Sequence, residues 1–232
     1  DHSLEHERLI QRADFQGRDL IYLPKLYFAE IALAKRLQAL GHGRHPCPTV
    51  DFDKALVWVQ QKTGIELASA QRAALKTAID SKVMVITGGP GVGKTTLVNS
   101  VLMVLKAKKM RVALCAPTGR AAKRMAETTG MEAKTIHRLL QFNPRQGGFV
   151  HNAENPLECD VLIVDESSKI DIVLGSQLAA AIPLHAALII VGVADQLHSV
   201  GHARVLQDII HSKQIPVVNL SKVVSVRIKS VI

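Results

Sequence analysis

Val83-Met84-Val85-Ile86-Thr87-Gly88-Gly89-Pro90-Gly91-Val92-Gly93-Lys94-Thr95-Thr96 decides the fold class of this chain. An apolar run reads as a buried strand, the stretch from Thr96 to Lys106 reads as a helix, and a glycine-rich loop joins them. That order suits a phosphate site. Backbone N–H groups wrap an anion where the chain comes close and takes positive φ, which glycine permits. The following helix points its N-terminal dipole at the same anion. Lys94 adds a charge that reaches the outer phosphates, and the Thr95 hydroxyl is placed to ligate Mg²⁺. Gly89, Pro90, Gly91, Val92, Gly93, Lys94, Thr95 and Thr96 are therefore the expected cradle of a nucleoside triphosphate. The bland alternative is a glycine-rich turn without a ligand, and the flanking strand and helix weigh against it.

The rest of the composition fits such a domain. In 232 residues, 47% are hydrophobic but only 3% aromatic, which suits a core of Ala, Val, Leu and Ile between parallel strands and helices. The net charge of +9, joined to a nucleotide site, favours a polyanionic partner such as nucleic acid. Cys47, Cys115 and Cys159 stand apart without metal or disulfide spacing, so a reducing, cytoplasmic compartment is the simplest reading. The charged first twenty residues are not a signal peptide, and the apolar stretch Ala186 to Ala194 is too short to cross a bilayer. A start at Asp1 and an end at Val231-Ile232 read as a piece of something longer.

Residues 1–66 read as a helical adaptor, with helical spacing over Pro24 to Leu40 and Phe52 to Lys62 and a Gly/Pro break between. From Ser69 helix and strand alternate. Strands are expected at Val83 to Thr87, Arg111 to Ala116, Val161 to Val164, Leu188 to Gly192 and Val217 to Leu220. Between them helices are expected at Ser69 to Ile79, Thr95 to Lys108, Gly119 to Thr128, Thr135 to Leu140, Val173 to Ala181 and Val205 to His211. The expected fold is α/β, a parallel sheet covered by helices, preceded by the small helical region. Ligands in such sheets bind beyond the carboxyl ends of the strands. A hairpin insertion is expected at about 141–157.

Val161-Leu162-Ile163-Val164 delivers Asp165 and Glu166 to that rim. Asp165 is the expected second ligand of the Mg²⁺ on Thr95, and Glu166 the base that deprotonates the attacking water. Gln71, a short helix ahead of the first strand, offers a carboxamide that matches adenine, although surface glutamines are ordinary. Pro117, Thr118 and Arg120 open a basic helix suited to a nucleic-acid phosphate; a solvated basic face is the alternative. His137 is a further strand contact or a structural histidine, and Phe149 either stacks on a base or anchors its hairpin. Gln196 either senses the γ-phosphate or sits in a strand-end turn.

From Leu67 to Leu220 the chain resembles the first motor domain of RecD-like DNA helicases, superfamily 1 enzymes that move 5′ to 3′ on single strands. The resemblance rests on Val85 to Thr95, Ala116 to Arg124, Thr135 to Leu140, Asn155-Pro156-Leu157 with Val164-Asp165-Glu166, and Asp195-Gln196-Leu197 with Ser199-Val200-Gly201. Ile21 to Tyr27 resembles the end of the amino-terminal region of stand-alone members. It implies a RecA-like P-loop NTPase domain over 67–232 that couples ATP hydrolysis, with Mg²⁺, to stepping on single-stranded DNA in recombination and repair. It further implies other helicase–nuclease subunits as partners, a pin-like role for the hairpin, and a second motor domain outside this chain.

The chain departs from that pattern at several places. Val193 stands where the family carries Asp, His198 where it carries Pro, and Ser167-Ser168-Lys169 where it ends in Met. Ser225 stands where the family places an arginine against the γ-phosphate. A non-catalytic DNA-binding fragment and a P-loop ATPase that does not unwind therefore stay open.

Overall fold

A computed structural model describes residues 10–15, 17–145, 147–194 and 205–220. The central strands are β3 (Val83–Thr87), β8 (Val161–Val164) and β9 (Ala187–Gly192), and every residue in them is buried. Strands this uniformly apolar need cover on both faces, as parallel sheets have. With β4 (Val112–Ala116), β5 (Lys134–Thr135) and β10 (Val217–Asn219) they form one sheet in the order β10-β3-β9-β8-β4-β5, parallel throughout.

Alternate residues of each strand feed two cores. Val83, Val85, Leu162, Val164, Leu188 and Ile190 face one side. There they meet α1 (Pro24–Gly41), α7 (Ile172–Ala181) and α8 (Val205–Ser212). Met84, Ile86, Val161, Ile163, Ile189 and Val191 face the other side. Their cover is α2 (Phe52–Thr63), α3 (Ser69–Asp80), α4 (Lys94–Ala107) and Met125 of α5 (Gly119–Thr129). Each fully buried Leu, Ile or Val contributes about 1.5–3 kcal/mol, so these two layers dominate stability.

The amino-terminal helices join those cores. Leu33, Leu37 and Leu40 form a buried stripe on α1 that packs against α7. Arg36 caps the far end of α7, donating to the carbonyls of Ala179, Ala180 and Ile182. Ahead of α1, β1 (Gln11–Phe15) and β2 (Arg18–Tyr22) pair as an antiparallel hairpin, within the region expected to be helical. The helix expected from Thr135 is shorter too. Lys134 and Thr135 pair with Cys115 and Ala116, leaving α6 (Ile136–Leu139). The expected insertion forms a hairpin of β6 (Phe142–Asn143) and β7 (Gly148–Phe149).

At the strand ends opposite the glycine-rich loop, Asp160 clamps β4 to β8. Its carboxylate accepts from the Arg111 amide at 2.8 Å and the Arg111 guanidinium at 2.9 and 3.3 Å. These bonds, led by the side-chain one, hold the Asp160 pKa below the usual 3.8. A depressed carboxyl contributes stability above its unfolded pKa and loses it as pH falls through the folded one. Asp160→Asn should lower Tm by roughly 2–4 °C at neutral pH. Thermal scans below pH 3.8 should show that gap closing.

Candidate active site

The loop after β3 takes the backbone that glycine allows, with φ of +153° at Gly88, +75° at Gly91 and +86° at Gly93. At Gly88 a Cβ would lie 2.5 Å from the Leu220 carbonyl and 2.9 Å from Val92 Cγ2. At Gly93 it would strike the Gln71 amide. Gln71 is 3% exposed and braces the loop from behind. Its Oε1 accepts from Ala68 N at 3.0 Å and its Nε2 donates to the Gly93 carbonyl at 3.3 Å. Lys94 opens α4 and folds over the loop, donating to the Gly88 and Gly89 carbonyls at 2.6 Å each. Burial pushes its pKa down, while the Asp165 charge pulls it back up.

At the end of β8, Asp165 N donates to the Cys115 carbonyl at 2.9 Å, and Asp165 Oδ1 accepts from Glu166 N at 2.8 Å. Burial raises the Asp165 pKa; the Glu166 amide, Arg124 and Lys94 oppose that rise. Glu166 has φ of +51°, a left-handed conformation that costs a non-glycine residue about 1 kcal/mol. Ser167 holds it there. Buried beside β9, its hydroxyl donates to the Val191 carbonyl at 2.8 Å and anchors the 3-10 turn Ser167–Lys169. Gly192 makes room, since a Cβ would sit 2.6 Å from Ser167 Oγ and 2.7 Å from Leu206 Cδ2. Glu166 Oε1 meets Arg124 Nη2 at 2.8 Å, and Oε2 meets Lys169 Nζ at 2.7 Å.

Lys94, Thr95, Arg124 and Asp165 line one hollow of about 60 Å³. A larger cavity of about 990 Å³ lies at the opposite strand ends, around Lys82 and Val83, and contains none of these groups. The residues singled out by sequence therefore gather at the smaller hollow.

The basic segment lies on the same rim. Pro117 follows β4, and Thr118 caps α5 by accepting from Ala121 N at 3.3 Å. The helix buries Ala121, Ala122 and Met125 and exposes Arg120, Lys123 and Arg124. Register pairs Ala116 with Thr135, so His137 lies one strand over. Its ring packs 5.6 Å from Phe149 and 6.2 Å from Phe142, whose own rings are 5.4 Å apart. Phe149 also packs on the core, as a hairpin anchor does.

A family model described as an AAA domain matches residues 71–202. The chain belongs to that family. Within it the chain is RecD-like. It is 39% identical over 182 residues to the ATP-dependent RecD2 DNA helicase of Deinococcus radiodurans, a match covering 78% of this chain and 25% of that protein. It is 34% identical over 216 residues to the RecBCD enzyme subunit RecD of Mycolicibacterium smegmatis, covering 83% of this chain and 38% of the subunit. The crystal structure of Pif1 helicase from Candida albicans shares the fold, with TM-score 0.50 and 24% identity over 68% of this chain and 40% of that one. The chain thus spans 25% to 38% of the length of these curated relatives. The sheet is that of a RecA-like α/β fold.

For this RecD-like AAA domain, Thr95, Lys94 and Asp165 come together as expected from sequence, and Glu166 stands beside them. Thr96 is the third residue of α4, its carbonyl accepting from Ser100 Oγ at 2.9 Å. Gln196, His198 and Ser225 lie outside the described residues. Val193 is described; it precedes Ala194, whose amide donates to Thr87 Oγ1 at 3.1 Å. Sequence reasoning missed the two cations on Glu166. The three-residue step from Glu166 to Lys169 was a signal for one of them; Arg124, 42 residues earlier, left none.

Gly91 and Gly93 share positive φ but not surroundings, since nothing lies within 4 Å of a Cβ at Gly91. Gly91→Ala should cost about 1 kcal/mol of backbone strain, and Gly93→Ala at least twice that because Gln71 must shift. Denaturant unfolding of the two variants reads the difference.

Proposed function

We propose that this RecD-like AAA domain is the ATP-binding motor unit of an ATP-dependent DNA helicase that moves 5′ to 3′ on single-stranded DNA in cytoplasmic recombination and repair. The observation that carries this reading is the shared hollow of Lys94, Thr95 and Asp165 at the ends of β3 and β8. The name of one relative, an ATP-dependent DNA helicase, supports the helicase part of this reading.

In this reading residues 67–232 are the motor unit, 1–66 an adaptor and 141–157 a duplex-parting hairpin. The loop from Gly89 to Thr96 cradles the phosphates with the backbone N–H groups of every residue but Pro90, and Lys94 leaves the Gly88 and Gly89 carbonyls for the β- and γ-phosphates. Thr95 and Asp165 are hard oxygen donors lining one hollow, which fits Mg²⁺. Bound there, the ion neutralises phosphate charge. Glu166 accepts the proton of a water whose oxygen bonds to the γ-phosphorus. The bond from that phosphorus to the bridging oxygen breaks, and its electron pair leaves on ADP. Gln71 braces the loop through Ala68 and Gly93 and reaches adenine only by giving up those bonds, and Gln196 senses the γ-phosphate. Pro117, Thr118, Arg120 and His137 contact the strand backbone. A second motor domain and partner subunits complete the machine.

On the full-length protein, single-stranded DNA should stimulate ATP hydrolysis, and Lys94→Ala or Glu166→Gln should each lower the stimulated kcat at least about 100-fold. DNA binding that ignores ATP, with no turnover, would mark a scaffold instead. Turnover unaffected by DNA would mark an ATPase that does not unwind.

A further inference from the structure

A general base must turn a lone pair toward the water whose proton it takes. Each Glu166 oxygen instead faces a cation, Oε1 meeting Arg124 at 2.8 Å and Oε2 meeting Lys169 at 2.7 Å. The backbone beneath it is fixed: Ser167 ties the adjoining turn to Val191 and Glu166 holds a left-handed φ, so reorienting the carboxylate falls to its side chain and its two cation contacts.

The two cations come from different places. Lys169 rides on the same 3-10 turn as Glu166 and moves with it. It stands where the resembling family carries methionine, which offers no such contact. Arg124 belongs to α5, the helix that Thr118 caps, and Arg120 lies one turn before it on the same face. The Arg124 side chain is 63% exposed and that of Glu166 20%, so the accessible partner covers the sheltered one. An exposed ion pair of this kind is weak, whereas a guanidinium binds a phosphodiester in a bidentate, charge-assisted manner. Arg124 also lines the hollow with Lys94, Thr95 and Asp165, so a change in its position is felt at the nucleotide.

We propose that Arg124 and Lys169 are positioning residues that hold Glu166 at rest, and that a strand phosphate drawing Arg124 away frees Oε1 for the attacking water. The helix that binds the strand thereby gates hydrolysis, and Lys169 sets a lower resting rate than methionine would. This rests on the proposed function, with the water, proton and leaving ADP as given there.

The test uses the full-length protein and oligo-dT. Arg124→Gln should raise the DNA-free kcat about fivefold while the DNA-saturated kcat stays within about twofold, so the stimulation ratio falls toward one. Lys169→Met should raise the DNA-free kcat and keep a ratio above one, and Arg124→Lys should restore part of the ratio. Independently of turnover, Arg124→Gln should lower the salt slope of oligo-dT binding, read by fluorescence anisotropy without nucleotide, by about one. A DNA-free kcat that is unchanged or lower with the ratio intact overturns the latch. So does an unchanged salt slope, or a raised KM for ATP that assigns Arg124 to the nucleotide. Wild-type protein that oligo-dT fails to stimulate overturns the proposed function and the latch together. Loss of the latch alone leaves wild-type stimulation intact.

Discussion

Strand β9 separates β3 from β8, and that single intervening strand sets the gap across which a phosphate loop faces an acid pair. Neighbouring strands lie about 4.8 Å apart, so the two ends stand roughly 10 Å from each other. A triphosphate and its ion can span that. The register sharpens the arrangement: Thr87 is level with Gly192, and Val164 with Ile190. The acid pair therefore leaves β8 beside Val191, where Ser167 pins the following turn over the glycine that closes β9. Larger side chains at Gly192 or Gly88 would displace one wall of the site.

Charge at the rim is partly stripped of water, and this sets its resting behaviour. Burial drives Lys94 down and Asp165 up, each toward its neutral form, while their mutual attraction opposes both shifts. Loop carbonyls hold the Lys94 ammonium, and two cations hold the Glu166 carboxylate. The resting site is thus satisfied internally. An incoming anion exchanges these contacts for stronger charge-assisted ones instead of filling an unsatisfied hole. Only rearrangements of side chains, not of strands, are required.

Much of this architecture was legible in sequence because buried parallel strands are written as unbroken apolar runs. Val161 to Val164 and Val83 to Thr87 have the bounds their hydrophobicity predicts. The glycines of the loop were readable for the same local reason, as was the hairpin anchored by Phe149. What was hidden depends on partners distant in the chain. The hairpin of Gln11–Phe15 and Arg18–Tyr22 has too few apolar residues to show a period of two, and the strand Lys134–Thr135 exists only through its pairing with Cys115 and Ala116. Arg36 reaches α7 from more than 140 residues away. Gln71 was read from sequence as an adenine contact, whereas its bonds to Ala68 and Gly93 need the folded packing of α3 on α4.

The central claim is that one metal–nucleotide complex is held jointly from β3 and β8. Electron paramagnetic resonance of Mn²⁺ with ATP, on wild type and Asp165→Asn, tests it most directly. The account predicts that the variant loses Mn²⁺ affinity by about tenfold or more while free ATP still binds. Equal Mn²⁺ affinity in the two proteins would contradict it.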